Sequence, residues 1–319
     1  MKTYLITGGA GFLGSHLARR LLDGGDRVVV LDNLSSSDGT NIDGMLGDKN
    51  FHYHFHDVRS PFDGIMDQYD LDGIFNLACP ASPPFYQNMP IETTLTCVLG
   101  AYNALELATE RHCRILQTST SEVYGDPEIS PQPETYRGKV NCFGPRACYD
   151  EGKRAAEALF YDYQKQNQTD IRVVRIFNTY GPNMLANDGR VVSNFIIQGL
   201  RGDPLTIYGN GKQTRSFGYV SDTIDGIMAV WNSDYTSPVN IGNDYEYTME
   251  QLAEVVIELT GKKSIWVYRN LPADDPLQRR PDITLAKSLG WIGPTIPLDR
   301  GLGYTIQYFL KRALTNPRR

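Results

Sequence analysis

Tyr149 and Lys153 stand four residues apart in the run Tyr149-Asp150-Glu151-Gly152-Lys153. Residues at that spacing share one face of a helix, so the phenol and the ammonium are expected to enter one cleft. An ammonium beside a phenol favours phenolate, which predicts a Tyr149 pKa lowered from about 10 towards neutrality and a general base at physiological pH. Upstream lie the turn Gly8-Gly9-Ala10-Gly11-Phe12-Leu13-Gly14 and the polar segment Thr118-Ser119-Thr120-Ser121-Glu122. The combination points to reversible hydride chemistry on a sugar hydroxyl.

The elements that must position these groups start with a nucleotide site. Gly8, Gly11 and Gly14 fall where the apolar run Tyr4 to Thr7 should turn into an amphipathic helix, allowing a pyrophosphate to approach backbone donors. A glycine-rich structural turn is the alternative, and the strand-to-helix context argues against it. Asp32 ends the next apolar run, where a carboxylate can accept hydrogen bonds from an adenosine ribose. A 2'-phosphate would face that carboxylate, and Ser35-Ser36-Ser37 supplies no arginine, so NAD is favoured over NADP. Asp57-Val58, after a third run, is a candidate for the adenine, with turn capping the other reading of Asp57.

Runs rich in strand formers at Thr3 to Thr7, Arg27 to Leu31, Phe51 to His56, Gly73 to Leu77, Arg114 to Thr118 and Ile171 to Ile176 alternate with helical patterns at Gly14 to Leu22, Ile91 to Arg111 and Cys148 to Gln166. Six βα-type units give an α/β fold, a Rossmann-like doubly wound parallel sheet, with a smaller C-terminal α/β substrate lobe. Residues 1–177 are assigned to the NAD-binding domain and 178–319 mainly to the substrate lobe, because the regular alternation stops after Phe177. The segment near 216–245, with a helix at Thr223 to Trp231, is a candidate to pack back on the first domain.

The 319 residues carry 31 basic and 37 acidic side chains, a formal charge of -6, without a basic run, which leaves no support for a nucleic-acid surface. Five cysteines (Cys79, Cys97, Cys113, Cys142 and Cys148) form no C-x-x-C pair and fit a reducing, cytoplasmic setting. An apolar run beginning at Tyr4 leaves no room for a signal peptide, and no stretch reaches the ~20 apolar residues of a membrane span. His52, His54 and His56 alternate along one strand face, but no carboxylate or cysteine completes a metal site, so none is expected. Cys148 adjoins Tyr149 without a paired histidine and reads as a packed thiol.

These residues resemble the extended short-chain dehydrogenase/reductase family over nearly the whole chain. The resemblance implies catalysis by Thr120, Tyr149 and Lys153: tyrosine takes a proton from a sugar hydroxyl, lysine holds the cofactor ribose, and threonine steadies the reacting oxygen. It also implies NAD contacts by Gly8, Gly11, Phe12, Leu13, Gly14, Asp32, Asn33, Asp57, Val58, Leu77, Ala78, Thr96 and Arg190. Sugar-nucleotide 4,6-dehydratases in this family follow the threonine with Asp-Glu, an acid and a base for water loss. Here Ser121-Glu122 follows, and a serine has no carboxylic proton to give.

Longer strings resemble the UDP-glucuronate decarboxylase, or UDP-xylose synthase, family: Cys79-Pro80-Ala81-Ser82-Pro83, Thr120 to Gly125, Gly144 to Arg154, Gly189 to Phe195 and Arg279-Arg280-Pro281-Asp282-Ile283. The implied reaction oxidises the 4-hydroxyl of a glucuronosyl unit, loses carbon dioxide from the resulting β-keto acid, and reduces the ketone again with the same cofactor. Glu122, Ser121 and Arg279 join the implied catalytic set. Pro80, Asn103, Glu122, Asn178, Asn194, Tyr208, Arg215 and Arg279 form the implied UDP-sugar site. Structural readings stand beside these: loop capping for the asparagines, a surface charge for Arg215 and a buried ring for Tyr208.

Leu95 stands where this family often has a lysine, and Cys97 where it often has an asparagine. The competing enzyme readings are a 4,6-dehydratase or a 4-epimerase, and the competing non-enzyme reading is an NAD-binding sensor. The resemblance further implies a homodimer paired through the helices at 91–111 and 148–166, which carry Leu99, Leu105, Ala155, Leu159 and Phe160. Periodicity alone equally allows those residues to be buried within one subunit.

Overall fold

The computed structural model describes residues 1–62, 64–271 and 278–315. Six parallel strands, β1 (Thr3–Thr7), β2 (Arg27–Asp32), β3 (Phe51–Phe55), β4 (Gly73–Asn76), β5 (Arg114–Thr120) and β6 (Ile171–Ile176), form most of one sheet. Strand order across it is β6, β5, β4, β1, β2, β3. The chain therefore leaves β1 in one direction and returns at β4 in the other, opening a crevice at the carboxyl ends of these two strands. Helices α1 (Phe12–Asp23), α2 (Pro83–Asn88), α3 (Pro90–Glu110) and α4 (Ala147–Asn167) follow β1, β4 and β5.

The central strands are covered on both faces, so Tyr4–Ile6 of β1, Val28–Leu31 of β2 and Ile74–Phe75 of β4 are continuous buried apolar runs rather than alternating with polar residues. Val28 and Val30 join Tyr4, Phe75 and α1 residues Leu17 and Leu21 on one face. Val29 and Leu31 face the other way, against Ala104 and Leu105 of α3 and Phe160 of α4. Leu105 and Phe160 are thus spent within this subunit, whereas Leu95, Leu99 and Tyr102 remain exposed along α3.

Several expectations change. The six-unit alternation is incomplete: β2 and β3 are joined by a 3-10 turn at Thr40–Met45, and no helix forms over the described residues between β3 and β4. Pro61, Gly64 and repeated aspartates in these connections favour turns over helix. The strand Val239–Ile241 adds a seventh, parallel strand beside β6, and the helix Val220–Asn232 covers the sheet face that contains Tyr4 and Phe75. A three-residue strand behind Pro238 carries too little pattern to be read from sequence. His54 bonds the Tyr69 hydroxyl at 2.8 Å, and His52 packs on the same ring, so edge-strand contacts occupy these histidines.

A third core joins Phe195 and Ile196 of the helix Val191–Arg201, Leu252 and Val256 of the helix Met249–Thr260, and Leu302 and Phe309 of the helix Leu298–Thr315. No helix among the described residues is long and apolar enough to cross a membrane. Trp231 shows how firmly the late helix is tied to the sheet: its ring centroid lies 4.2 Å from Phe75 and 5.8 Å from Tyr4. Trp231→Ala is expected to cost about 3–5 kcal/mol through loss of this packing. Thermal and urea unfolding should both detect the loss.

Candidate active site

The crevice at the carboxyl ends of the strands collects most of the sequence-singled residues. Its wall contains Gly8, Gly11, Phe12, Leu13 and Gly14 from the β1–α1 turn, Asp32 and Asn33 from the end of β2, and Asp57 and Val58 after β3. Leu77, Ala78 and Pro80 follow β4, Thr96 comes from α3, and Thr120, Ser121 and Glu122 close β5. Tyr149 and Lys153 enter from α4, joined by Asn178, Arg190 and Arg279. Four expected residues lie off this wall. Asn103 donates to the Val58 carbonyl at 2.9 Å, and Asn194 to the Gly189 carbonyl at 3.0 Å. Tyr208 is the exposed last residue of the strand Leu205–Tyr208, and Arg215 is buried with its guanidinium on the Thr214 carbonyl at 2.9 Å.

The nucleotide side fits a diphosphate and a ribose. A Cβ on Gly14 would lie 2.2 Å from the Gly8 carbonyl oxygen, so glycine is what lets α1 start directly against the turn. No side chain caps α1, which leaves the amides of its first turn for an anion. Asp32 accepts from Ala10 N–H at 3.0 Å and Leu34 N–H at 2.8 Å, one on each oxygen. Each oxygen keeps a lone pair for a hydroxyl. Asp57 is held by hydrogen bonds from Arg59, which take its pKa down to about 2, and by Asn33 at 3.2 Å.

On the chemical side, Tyr149 is buried and stacks on Tyr86 with centroids 5.1 Å apart and planes 7° from parallel. Lys153 donates to the Thr118 carbonyl at 2.9 Å, with its nitrogen 6.0 Å from the Tyr149 ring centre. The expected lowering of the phenol pKa does not hold for the polypeptide by itself. Burial pushes the Tyr149 phenol well above its ordinary value, and the hydrogen bond with Thr120 opposes that rise only in part. One of the three Lys153 N–H donors goes to that carbonyl, which leaves two for a ligand.

Glu122 lies between two guanidinium groups: Arg146 at 2.8 Å from one oxygen and Arg279 at 2.8 Å from the other. Burial raises its pKa, but Arg279 and Arg146 outweigh burial and keep it a carboxylate. Arg279 also donates to Asn178 Oδ1 at 3.1 Å, while its Nε and Nη2 are buried without a hydrogen-bond partner. Ser82 Oγ and Tyr86 Oη are likewise buried and unpartnered. Unmet donors of this kind around a cleft are what a polar, carboxylate-bearing ligand would satisfy. Among the described residues no cluster of three histidines, cysteines or acids could hold a metal ion.

The sequence profile of the GDP-mannose 4,6 dehydratase family matches residues 5–285. UDP-glucuronic acid decarboxylase 1 of Xenopus tropicalis is 50% identical over 311 residues, covering 97% of this chain and 72% of the relative. UDP-glucuronic acid decarboxylase 5 of Arabidopsis thaliana is 52% identical over 301 residues, 93% of this chain and 86% of the relative. The chain belongs to the UDP-glucuronic acid decarboxylase family. It falls within the extended short-chain dehydrogenases/reductases, and the fold agrees. The UDP-glucose 4-epimerase of Thermotoga maritima, solved with UDP-glucose, superposes with a TM-score of 0.90 at 28% identity, covering 97% of this chain and 99% of the other. A UDP-glucuronic acid 4-epimerase from Bacillus cereus, solved with UDP-glucuronic acid and NAD, gives 0.86 at 25% identity, covering 97% and 99%.

Sequence reading gave no role to Arg146, Tyr86 or Asp150. Arg146, Tyr149, Asp150 and Lys153 recur at three and four, which was the available signal that they share one face. Tyr86 had none, because α2 reaches α4 only through the fold. Asp150 is buried beside this family site with one oxygen unpartnered. Burial and then the Glu122 charge raise its pKa to about 7, against the pull of Arg146 and Arg279. A carboxyl raised in the folded state is neutral in both states below about pH 4, and it costs stability as pH rises towards 7. Asp150→Asn should therefore gain thermal stability relative to the parent as pH goes from 4 to 8, with the difference level above that range. Unfolding midpoints across pH will measure it.

Proposed function

We propose that this chain is an NAD-dependent UDP-glucuronate decarboxylase that forms UDP-xylose through a 4-keto intermediate. The observation that carries the reading is Arg279, which holds Glu122 through Nη1 and keeps buried, unpartnered Nε and Nη2 at the cleft that contains Tyr149. A planar guanidinium with free donors is suited to a substrate carboxylate. Family membership at about half identity supports the same activity.

NAD is assigned to the wall built from Gly8, Gly11, Phe12, Leu13, Gly14, Asp32, Asn33, Asp57, Val58, Leu77, Ala78, Thr96 and Arg190, with the remaining Lys153 donors on its ribose. Bound there, NAD would supply reversible hydride transfer at C4 of the sugar. Tyr149 takes the 4-hydroxyl proton and gives it back at the end, with Thr120 and Ser121 steadying the oxygen. The 4-ketone is β to the C6 carboxylate and accepts the electron pair freed as carbon dioxide leaves. Arg279 orients the carboxylate and stabilises the enolate by charge, since a guanidinium does not give up its proton. Glu122 orders a water or sugar hydroxyl for protonation at C5.

Pro80, Asn178, Asn194, Tyr208 and Arg215 are assigned to the UDP-sugar, with Asn103 acting through its hold on Val58. Residues 1–177 serve mainly NAD, and 178–319 mainly the substrate, part of that lobe (272–277 and 316–319) lying outside the described residues. A cytoplasmic homodimer is part of the same reading. Exposed Leu95, Leu99 and Tyr102 on α3 and Tyr161 on α4 support pairing through these helices.

Purified protein given NAD and UDP-glucuronate should yield a product lighter by carbon dioxide in mass spectrometry. Loss of water would instead mark a dehydratase and unchanged mass with altered stereochemistry a 4-epimerase. NAD binding without turnover on a panel of UDP-sugars would mark a sensor. Tyr149→Phe should keep NAD affinity and lose turnover on the order of 100-fold or more, measured by the same product assay.

A further inference from the structure

Cys79 and Cys97 bring their sulfur atoms to 3.2 Å as free thiols. Cys79 follows β4 and lines the cleft, whereas Cys97 is buried on α3. Cys97 also presses on α4: a Cβ built at Gly152 would lie 3.0 Å from its Cβ and 3.2 Å from its sulfur. Gly152 sits between Tyr149 and Lys153, so this thiol links the loop after β4 to the helical turn that carries both groups. The hydrogen bond from Cys79 holds the Cys97 thiol below its ordinary range against burial, with Lys153 adding to the effect. Burial keeps Cys79 protonated. Of the other three cysteines, Cys113 is buried, Cys142 is exposed, and Cys148 donates to the Tyr86 carbonyl at 3.5 Å.

We propose that Cys79 and Cys97 form a dithiol modification site, oxidised by a hydroperoxide to a disulfide that shuts the cleft down. One sulfur attacks a peroxide oxygen, the O–O bond breaks, and water leaves from hydrogen peroxide, giving a sulfenic acid. The second sulfur attacks the first, the S–S bond forms, the S–O bond breaks, and a second water leaves. Two electrons pass from the sulfurs to the peroxide, and both thiol protons end in water. Closing 3.2 Å to a bond of about 2.05 Å requires a shift of roughly 1 Å. That shift draws Cys79 from the cleft wall or Cys97 from Gly152, and so moves the cofactor loop or the Tyr149–Lys153 turn.

The effect on rate rests on the decarboxylase reading, whereas the disulfide does not. The full chain is treated with hydrogen peroxide, digested and searched by mass spectrometry for a linked Cys79–Cys97 peptide. NAD binding and UDP-glucuronate turnover are measured before treatment, after it, and after dithiothreitol. The linked peptide should appear in step with weaker NAD binding and a rate loss on the order of 10-fold to 100-fold, the scale of a 1 Å misplacement. Dithiothreitol should reverse all three, and Cys97→Asn, compared with its own untreated rate, should show none. Absence of the linked peptide, a linked peptide with unchanged NAD binding and rate, or equal inactivation of Cys97→Asn would overturn the proposal. If Cys97→Asn does not fold, Cys79→Ala is scored in the same way. Should untreated protein never turn over UDP-glucuronate, the decarboxylase reading fails, while the linked peptide and NAD binding still decide the dithiol.

Discussion

Glu122 is a buried carboxylate gripped by two guanidinium groups, and the site depends on that grip. Removing a charge from water costs several kcal/mol, which is recovered only where partners sit at hydrogen-bond distance on both oxygens. Arg146 arrives from the start of α4 and Arg279 from the distant C-terminal part of the chain, each at 2.8 Å. The pair therefore ties together the end of β5, the helix of Tyr149 and Lys153, and the C-terminal segment that carries Arg279. Because Glu122 and Asn178 both use Arg279 Nη1, its Nε and Nη2 are left without a partner at the wall of the cleft.

The sheet supplies the place where this can happen. Strand order reverses between β1 and β4, so loops after both strands open outward and leave a crevice between them. The glycine turn after β1, the Leu77–Pro80 loop after β4, the end of β5 and α4 all line this one cleft. Helix Val220–Asn232 and strand Val239–Ile241 return from the later chain to complete the sheet. The two halves of the cleft are therefore braced by one core rather than joined by a hinge alone.

Much of this was legible locally. Strands β1 and β6 fall where their apolar runs predicted, α4 begins one residue before Cys148, and β5 runs two residues past Thr118 to bring Thr120 into the cleft. Gly8, Gly14, Asp32, Thr120, Tyr149, Lys153 and Arg279 share one cleft. The strand Val239–Ile241 was illegible, since three residues hold less than two periods of alternation. Tyr86 was also hidden, because its stacking on Tyr149 depends on where α2 docks.

The sequence by itself determined the elements and the chemical vocabulary, because strand and helix periods, glycine turns and a four-residue spacing act between near neighbours. Only the tertiary structure decided the electrostatics. Whether Tyr149 is a phenol or a phenolate depends on burial, which raises its pKa more than Thr120 lowers it. Whether Glu122 is charged depends on Arg279, remote in sequence and adjacent in space. Charge states and thiol contacts such as Cys79 with Cys97 follow from desolvation and long-range packing, which no local pattern encodes.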